Sequence, residues 1–570
     1  MSGECLQDIL VRMDRRPYPA YKDLRGRREQ LGPVSIQFLS IQGDPFAAPS
    51  RLRVDIAPRL SGLPEWTKST RSERIATADF LHRLVFEKLR KLPRLGGSGK
   101  SGRIDILSVG QEILERSAVQ VGADGTVSLF ITVGLPAAGR RILGRVASSL
   151  LCEVIPETMR GAIESIDFEG LKEHIYCFED QRAVRAELKK RGLVGFVADG
   201  SVLPRRSGVD DRPLENGLPF ESPDSLAVTV DTPHSGTLRG MGIQEGITLI
   251  VGGGYHGKST LLQALSRGIY DHIPGDGRER VITDGDSVWI RAEDGRSVTG
   301  VDLRPFISNL PLGRDTSTFR TSDASGSTSQ AAAVIEAMEM GARAFLIDED
   351  IAATNFMIRD ARMRALIPAG EEPITPYLDR VRFLADERGI SSILVVGGAG
   401  DYLSVADQVI QMESYQPRDV TTRAKQIVQE IPSSTEAQSV HDWPLDTIRI
   451  PLLHRLDASR GKKRERVRSV GTREIQFGDE TIDLALLEQL VDPAQARLIG
   501  DILLGFSKGQ WTEDNSNLGA LLENVERSLD EGSILDVCAR GFGDRSRPRK
   551  YEVGAAINRL RALMVKHSTD

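Results

Sequence analysis

The pattern of apolar and polar positions changes period along this 570-residue chain, and three regions separate on that basis. In the first, ERIATADFLHRLVFEKLRKL at Glu73–Leu92 repeats apolar positions at helical spacing and predicts a helix, whereas RIDILSV at Arg103–Val109 and TVSLFITV at Thr126–Val133 predict strands. A polar, turn-rich stretch, SGVDDRPLENGLPFESPDS, closes that region near Pro219. The second region alternates short apolar runs with helical periods, as α/β domains do. Past Glu413 the chain turns polar and charged. It regains helical period at LALLEQLV (Leu484–Val491), QARLIGDILLG (Gln495–Gly505) and EVGAAINRLRALMV (Glu552–Val565). The expected organisation is an N-terminal α+β domain with its linker over residues 1–219, an α/β core over 220–415, and a mostly helical C-terminal domain over 416–570.

Composition narrows the function classes. Hydrophobic residues make up 40% and charged residues 27%, as in ordinary soluble proteins. No apolar run of about 18 residues is present to span a bilayer, and the opening MSGECLQDILVRMDRR lacks the apolar stretch of a secretory signal. The expectation is a soluble intracellular protein, cytoplasmic or organellar, with no membrane partner. Four cysteines and eight histidines are scattered without ligand spacing, which argues against zinc and a disulfide framework. A net charge of −6 means that any nucleic-acid site must be local. Basic clusters occur at RRPYPAYKDLRGRR near the start, RLGGSGKSGR (Arg94–Arg103), SRGKKRERVR (Ser459–Arg468) and DRSRPRK (Asp544–Lys550). Each taken singly is an ordinary solvated loop.

Two glycine-rich stretches end in Gly-Lys-Ser, but only one has the setting of a phosphate cradle. ITLIV at Ile247–Val251 predicts a buried strand, and STLLQALSRGIY continues as a helix. Between them Gly252, Gly253, Gly254, Tyr255, His256, Gly257, Lys258, Ser259 and Thr260 complete G-x-x-x-x-G-K-[ST] and its first helical turn. Backbone N–H groups of such a turn point at phosphate oxygens. In GGSGKSGR, Arg94 stands where the first glycine is needed, and the elements run helix–loop–strand. It is read as a flexible cationic connection. Downstream, AFLID (Ala344–Asp348) predicts an apolar strand ending in Asp348 and Glu349. With Ser259, Asp348 supplies oxygens for Mg²⁺; Glu349 can orient or deprotonate an attacking water. ATP and Mg²⁺ are the implied cofactors, with Lys258, Asp348 and Glu349 as the catalytic set.

Upstream of Asp348, SDASGSTSQAAAVIEAMEMGARAFLIDED resembles the ABC class of P-loop ATPases. Ser325, Gly326 and Ser327 match the Ser-Gly-Gly signature turn, and DIAATN, ending at Asn355, occupies the place of the D-loop. The resemblance implies that the signature turn caps the nucleotide of a second ATPase domain. As the chain has one such domain, it implies a homodimer with two ATP molecules sandwiched between copies, Ser325, Gly326 and Ser327 of one copy facing the P-loop of the other. Two departures stand out. Gly397 or Gly398 falls where these ATPases carry a switch histidine, and Asn309 stands in for the missing Q-loop glutamine. Slow or partner-stimulated hydrolysis is expected. His256 is read as a loop-shaping residue.

QGDPFAAPSRLRV, GLPAAGRRILG, FVADGSVLPRRSG, WIRAEDGRSV, DEDIAATNFMIRD and GAAINRLRAL extend the likeness to the family of stand-alone ATPases of the ABC class, which includes a kinetoplastid member linked to RNA editing. That resemblance implies a soluble homodimeric ATPase with N- and C-terminal domains around its core, and binding of RNA or another single-stranded nucleic acid. Lys100, Arg103, Lys462, Lys463 and Arg464 are the candidates for phosphate contact. Low aromatic content, 5%, argues against base stacking, so such binding would be electrostatic and salt-sensitive. The alternative is an assembly factor whose ATP-driven closure grips a protein. In FVADGSVLPRRSG, Arg205 and Arg206 are either a basic hinge or a reach toward the nucleotide. Glu293–Asp294 in RAEDGR reads as an exposed hairpin turn.

Overall fold

The computed structural model describes residues 4–94, 96–367, 371–431, 443, 447–461, 465–538 and 543–569. Two compact units emerge: Met1–Glu179 with Arg540–Arg547, and Asp180–Ala539 with Pro548–Asp570.

The first unit is built on an antiparallel sheet ordered Arg28–Leu31, Val34–Ser40, Ser50–Ile56, Val127–Val133, Ile104–Asp105, with Val119–Val121 also paired to Val127–Val133. Leu52, Val54, Leu129 and Ile131 are fully or almost fully buried. The helix Arg71–Arg90 starts at a capping box formed by Thr70 and Glu73 and contributes Leu81, Val85 and Leu89 to the same core. The GGSGKSGR connection is not a flexible tether. Buried Ser101 donates its hydroxyl to Ser98 O and accepts from Ala137 N–H, and Lys100 N–H is held by Pro45 O at 2.9 Å. A Cβ at Gly99, whose φ is +62°, would stand 2.4 Å from Pro45 O, so the glycine is needed for this close approach.

The second unit holds a six-stranded sheet ordered Ser287–Ile290, Ala344–Asp348, Ser391–Val395, Ile247–Val251, Gln408–Glu413, Gln416–Asp419. The first five strands are parallel and the last is antiparallel. Ile247–Val251 and Ala344–Asp348 read as unbroken apolar runs because both faces are covered. Leu193–Ala198 pairs with Gly236–Gln244 and Val281–Thr283 in a separate antiparallel sheet. The boundary expected at Pro219 therefore falls inside this unit: the turn-rich stretch is an excursion between strands of one body.

The C-terminal portion packs within the same unit. A three-stranded sheet, Val467–Val470, Glu474–Phe477, Glu480–Asp483, is followed by helices Pro493–Ser507, Leu518–Glu531 and Lys550–Asn558. Thr447–Pro451 pairs with Val565–Thr569, so this portion mixes strands with its helices. LALLEQLV, expected as a helix, is a run of turns. Its Gln489 accepts from Trp289 N–H at 2.9 Å and donates to Ser287 O at 3.3 Å. Arg549 donates to Gly285 O and Ser287 O. These side chains cover the open edge of the parallel sheet, whose unpaired backbone groups would otherwise invite strand addition. EVGAAINRLRALMV is helical only to Asn558, and its last residue, Val565, begins a strand.

Candidate nucleotide site

The strand order sets three loops side by side at the C-terminal ends of parallel strands, the usual place for a ligand in an open α/β sheet. Ile247–Val251 leads into the P-loop, Ser391–Val395 into Gly397–Gly398, and Ala344–Asp348 into Glu349. Helix Lys258–Arg267 begins directly after Gly257, with its first N–H groups free of intrahelical partners.

Two glycines of the loop are required by space as well as by backbone angle. A Cβ on Gly252, at φ +139°, would lie 2.4 Å from Met412 O, and one on Gly257, at φ +98°, would lie 2.8 Å from the Tyr415 ring. Lys258 Nζ donates to Gly252 O at 2.8 Å and Gly253 O at 2.9 Å, which sets its charge inside the curve of the loop. His256 fastens the loop from behind. Its Nδ1 accepts from Ser414 N–H at 2.9 Å, and its carbonyl accepts from Tyr415 N–H at 3.0 Å. Tyr255 stands fully exposed at the loop apex with φ +64°.

Asp348 is 6% exposed and accepts from Asp350 N–H and the Ser259 hydroxyl. Burial pushes its carboxyl above the usual range, and neither those hydrogen bonds nor Lys258 brings it back down. Among the described residues no cluster of three or more His, Cys, Asp or Glu could cage a metal. A hydroxyl beside an under-compensated carboxylate does fit Mg²⁺, which takes few protein oxygens and completes its shell with phosphate and water. Among the described residues, Glu349 is hydrogen-bonded by backbone alone. Its Oε2 accepts from Gly397 N–H at 2.6 Å and from Gly398 N–H at 3.0 Å. The two glycines at the switch-histidine position thus supply amides that orient the acid next to Asp348. Sequence reasoning missed this, since a backbone donor leaves no residue signature.

The signature turn is hydrogen-bonded to other segments. Ser325 occupies the N-cap position of helix Gly326–Glu339 without a side-chain capping bond to the backbone, its hydroxyl 3.1 Å from that of Thr328. Ser327 donates to Asn355 Oδ1 at 2.6 Å, and Gln330 Oε1 accepts from Ala353 N–H, tying the turn to the D-loop segment of the same copy. Among the described residues no hydrogen bond joins Ser325, Ser327 or Asn309 to the P-loop. Asn309 lies exposed in a left-handed turn with φ +52°.

The remaining candidates separate. Arg205 is a buried ion-pair partner of Asp276 at 2.6 Å, and Arg206 pairs with Glu215, which ends the idea of a reach toward nucleotide. Asp294 and Gly295 of RAEDGR do form an exposed turn, but Glu293 is buried and paired with Arg559, so the expected exposure fails for the glutamate, which points inward. Arg103 is exposed and matched by Asp105, and Lys100 is half-buried. Lys462, Lys463 and Arg464 lie outside the described residues.

Three family models match this chain in succession: the N-terminal domain of ATPases of the ABC class over residues 4–165, the ABC-class P-loop domain over 167–445, and the MRB1590 C-terminal domain over 466–566. The chain belongs to the stand-alone ATPases of the ABC class. An uncharacterized protein of Methanocaldococcus jannaschii, MJ1628, is 29% identical over 267 residues, which is 45% of this chain and 58% of that relative. The chain thus spans little more than half the length of the relative it matches. Among solved structures, the ATP-binding cassette MJ1267 of an ABC transporter, in its ADP conformation, aligns at 12% identity and TM-score 0.26 over 42% of this chain and 96% of the cassette. The cassette cbiO1 of Clostridium perfringens aligns at 13% and 0.26, with the same coverage. No described helix is long and apolar enough to cross a membrane.

Proposed function

We propose that the protein hydrolyses ATP as a homodimer, the Ser325–Ser327 turn of each copy closing on the nucleotide cradled by Gly252–Thr260 of the other, and that closure governs its grip on single-stranded nucleic acid, RNA foremost. The observation that carries the ATPase half is the convergence of Lys258, Ser259, Asp348 and an amide-held Glu349 at one sheet end. Glu349 would accept the proton of the attacking water; Lys258 and the loop amides would neutralise the phosphates. Ser259 and Asp348 would hold Mg²⁺, which would supply charge neutralisation at the transferring phosphoryl group. With amides of Gly397–Gly398 in place of an imidazole, no side chain there follows the γ-phosphate, which favours slow or partner-stimulated turnover.

Dimerisation is supported by the signature turn being tied to its own D-loop rather than its own P-loop. RNA is supported by the MRB1590-type C-terminal segment and the resemblance to a family that includes a member linked to RNA editing, with Lys100 the better phosphate candidate of the described pair because Arg103 is already matched. The test uses Glu349→Gln with ATP and Mg²⁺. Sedimentation is expected to show a doubled mass and, in polarisation assays, single-stranded RNA bound at low salt and released as salt rises. A copy that stays single when saturated with nucleotide sinks the sandwich. Absence of RNA binding at low salt, with and without ATP, sinks the nucleic-acid half and leaves the protein-gripping alternative.

A further inference from the structure

The signature helix Gly326–Glu339 is wired to the C-terminal portion through buried charge. Arg559, at the end of helix Lys550–Asn558, has a side chain only 7% exposed and pairs with Glu293 Oε1 at 2.5 Å. Glu293 in turn gives its backbone N–H to Ser329 Oγ at 2.9 Å, and Ser329 donates that hydroxyl to Gly326 O at 2.9 Å. Four groups therefore lead from the C-terminal helix to the signature glycine. The packing agrees: a Cβ on Gly326 would stand 3.3 Å from Ala292 and 3.4 Å from Asp294, the two neighbours of Glu293. Any shift of that segment is felt at the turn.

The helix is fixed in the same way further along its length. Arg296 pairs with Glu336 and donates to Ser329 O, while Arg449 pairs with Glu339 at 2.5 Å and also donates to Asn558 Oδ1 at 2.8 Å. Ser297 donates to Arg559 O. So many ionised groups taken from water cost several kcal/mol before pairing returns it, and apolar residues would serve stability as well. Their use here fixes one orientation of the helix.

We propose that Arg559 is a positioning residue for the signature turn, acting through Glu293 and Ser329, so that the C-terminal portion sets how well the turn of one copy meets the triphosphate of another. The proposal rests on the sandwich reading above. It makes the C-terminal portion a coupling element: whatever holds that portion adjusts ATP closure without touching the P-loop.

The test compares wild type with Arg559→Lys, Arg559→Gln and the pair Arg559→Gln/Glu293→Gln. The pair removes both charges together, so that a fold weakened by one stranded carboxylate does not obscure the result. Readouts are ATP affinity of dilute single copies, ATP-driven dimerisation in the Glu349→Gln background, kcat and melting temperature. Expected are ATP affinity within about 2-fold of wild type, with dimerisation and kcat lowered about 10-fold in the pair and partly restored in Arg559→Lys, in the range of coupling through a packed network. Dimerisation and kcat unchanged in a folded pair overturn the proposal. So does a fall in ATP affinity, dimerisation and kcat alike that follows the loss of melting temperature, which would mark Arg559 as structural. Wild type that never dimerises sinks the sandwich itself, a separate and visible failure.

Discussion

Two buried aspartates, one in each unit, show how surroundings decide what an acid is for. Asp79 in the first unit is fully buried and meets Arg83 Nε at 2.7 Å, Arg116 at 2.5 Å and His174 Nε2 at 3.2 Å. Burial alone would raise its pKa; Arg83, the His174 hydrogen bond and Arg116 instead hold it well below the usual carboxylate range. Asp348 in the second unit is also buried, yet its contacts are an amide, a hydroxyl and the more distant charge of Lys258, and burial wins. A carboxylate compensated by the protein is part of the architecture. One left under-compensated, at the end of a strand beside a P-loop, is waiting for a cation that the chain does not supply.

The sharpest test of that contrast is Asp348→Asn. Removing a charge that burial disfavours should leave the melting temperature of nucleotide-free protein level or slightly raised, whereas Mg²⁺-dependent hydrolysis should fall about 10³-fold, the several kcal/mol such ions supply. Melting curves and steady-state phosphate release check both halves. A variant that melts well below wild type would place Asp348 with the architectural acids and erase the distinction.

Asp79→Asn should behave in the opposite way. Two arginines lose their counter-charge in a dry interior, and the cost to the first unit should be about 3 kcal/mol, at the low end for breaking a buried pair because asparagine keeps some hydrogen bonds. Denaturant unfolding measures it. The hydrolytic rate per folded molecule should remain within about 2-fold of wild type, since none of the P-loop, Asp348 and Glu349 contacts involves this cluster. A large loss of kcat with stability intact would mean that Asp79 belongs to the chemistry.

The contrast also explains what could be read from the chain beforehand. The P-loop, Asp348–Glu349 and the signature turn were legible because phosphate chemistry demands adjacent residues in fixed order on a strand–turn–helix. The Asp79 cluster was not: residues 79, 83, 116 and 174 are brought together only by the fold. Glu293 misled for a related reason. The Asp294–Gly295 turn signal was sound, as Gly295 has φ +82°, but whether the residue before a turn faces water depends on what packs there, and Arg559 lies 266 residues later in sequence. The helix expected at Leu484–Val491 failed because Gln489 is committed to an open sheet edge while Leu484 and Leu490 are buried in the core, tertiary demands that outweigh local propensity.

His82 gives the smallest test and the one with a sign to check. Its Nε2 lies 2.7 Å from Leu107 O, and Nδ1 is buried without a hydrogen-bond partner among the described residues. Burial, and then the charge of Arg116, lower its pKa from 6.5 to about 3, so the folded ring stays neutral where the unfolded one takes up a proton. Between those values the unfolded state binds more protons, and stability must therefore fall as pH drops through that window, by at most about 1.4 kcal/mol per pH unit. Asp79 is held below the ordinary carboxylate range and adds its own loss only under about pH 4, and the carboxyls that burial raises, Asp348 and Glu339, are common to wild type and variant, so from 6.5 down to about 5 the difference between the two isolates His82. Unfolding of wild type and His82→Phe across that interval should show a slope in the first and a flatter line in the second. Equal slopes would move the titration to another group and leave the Asp79 cluster without its neutral neighbour.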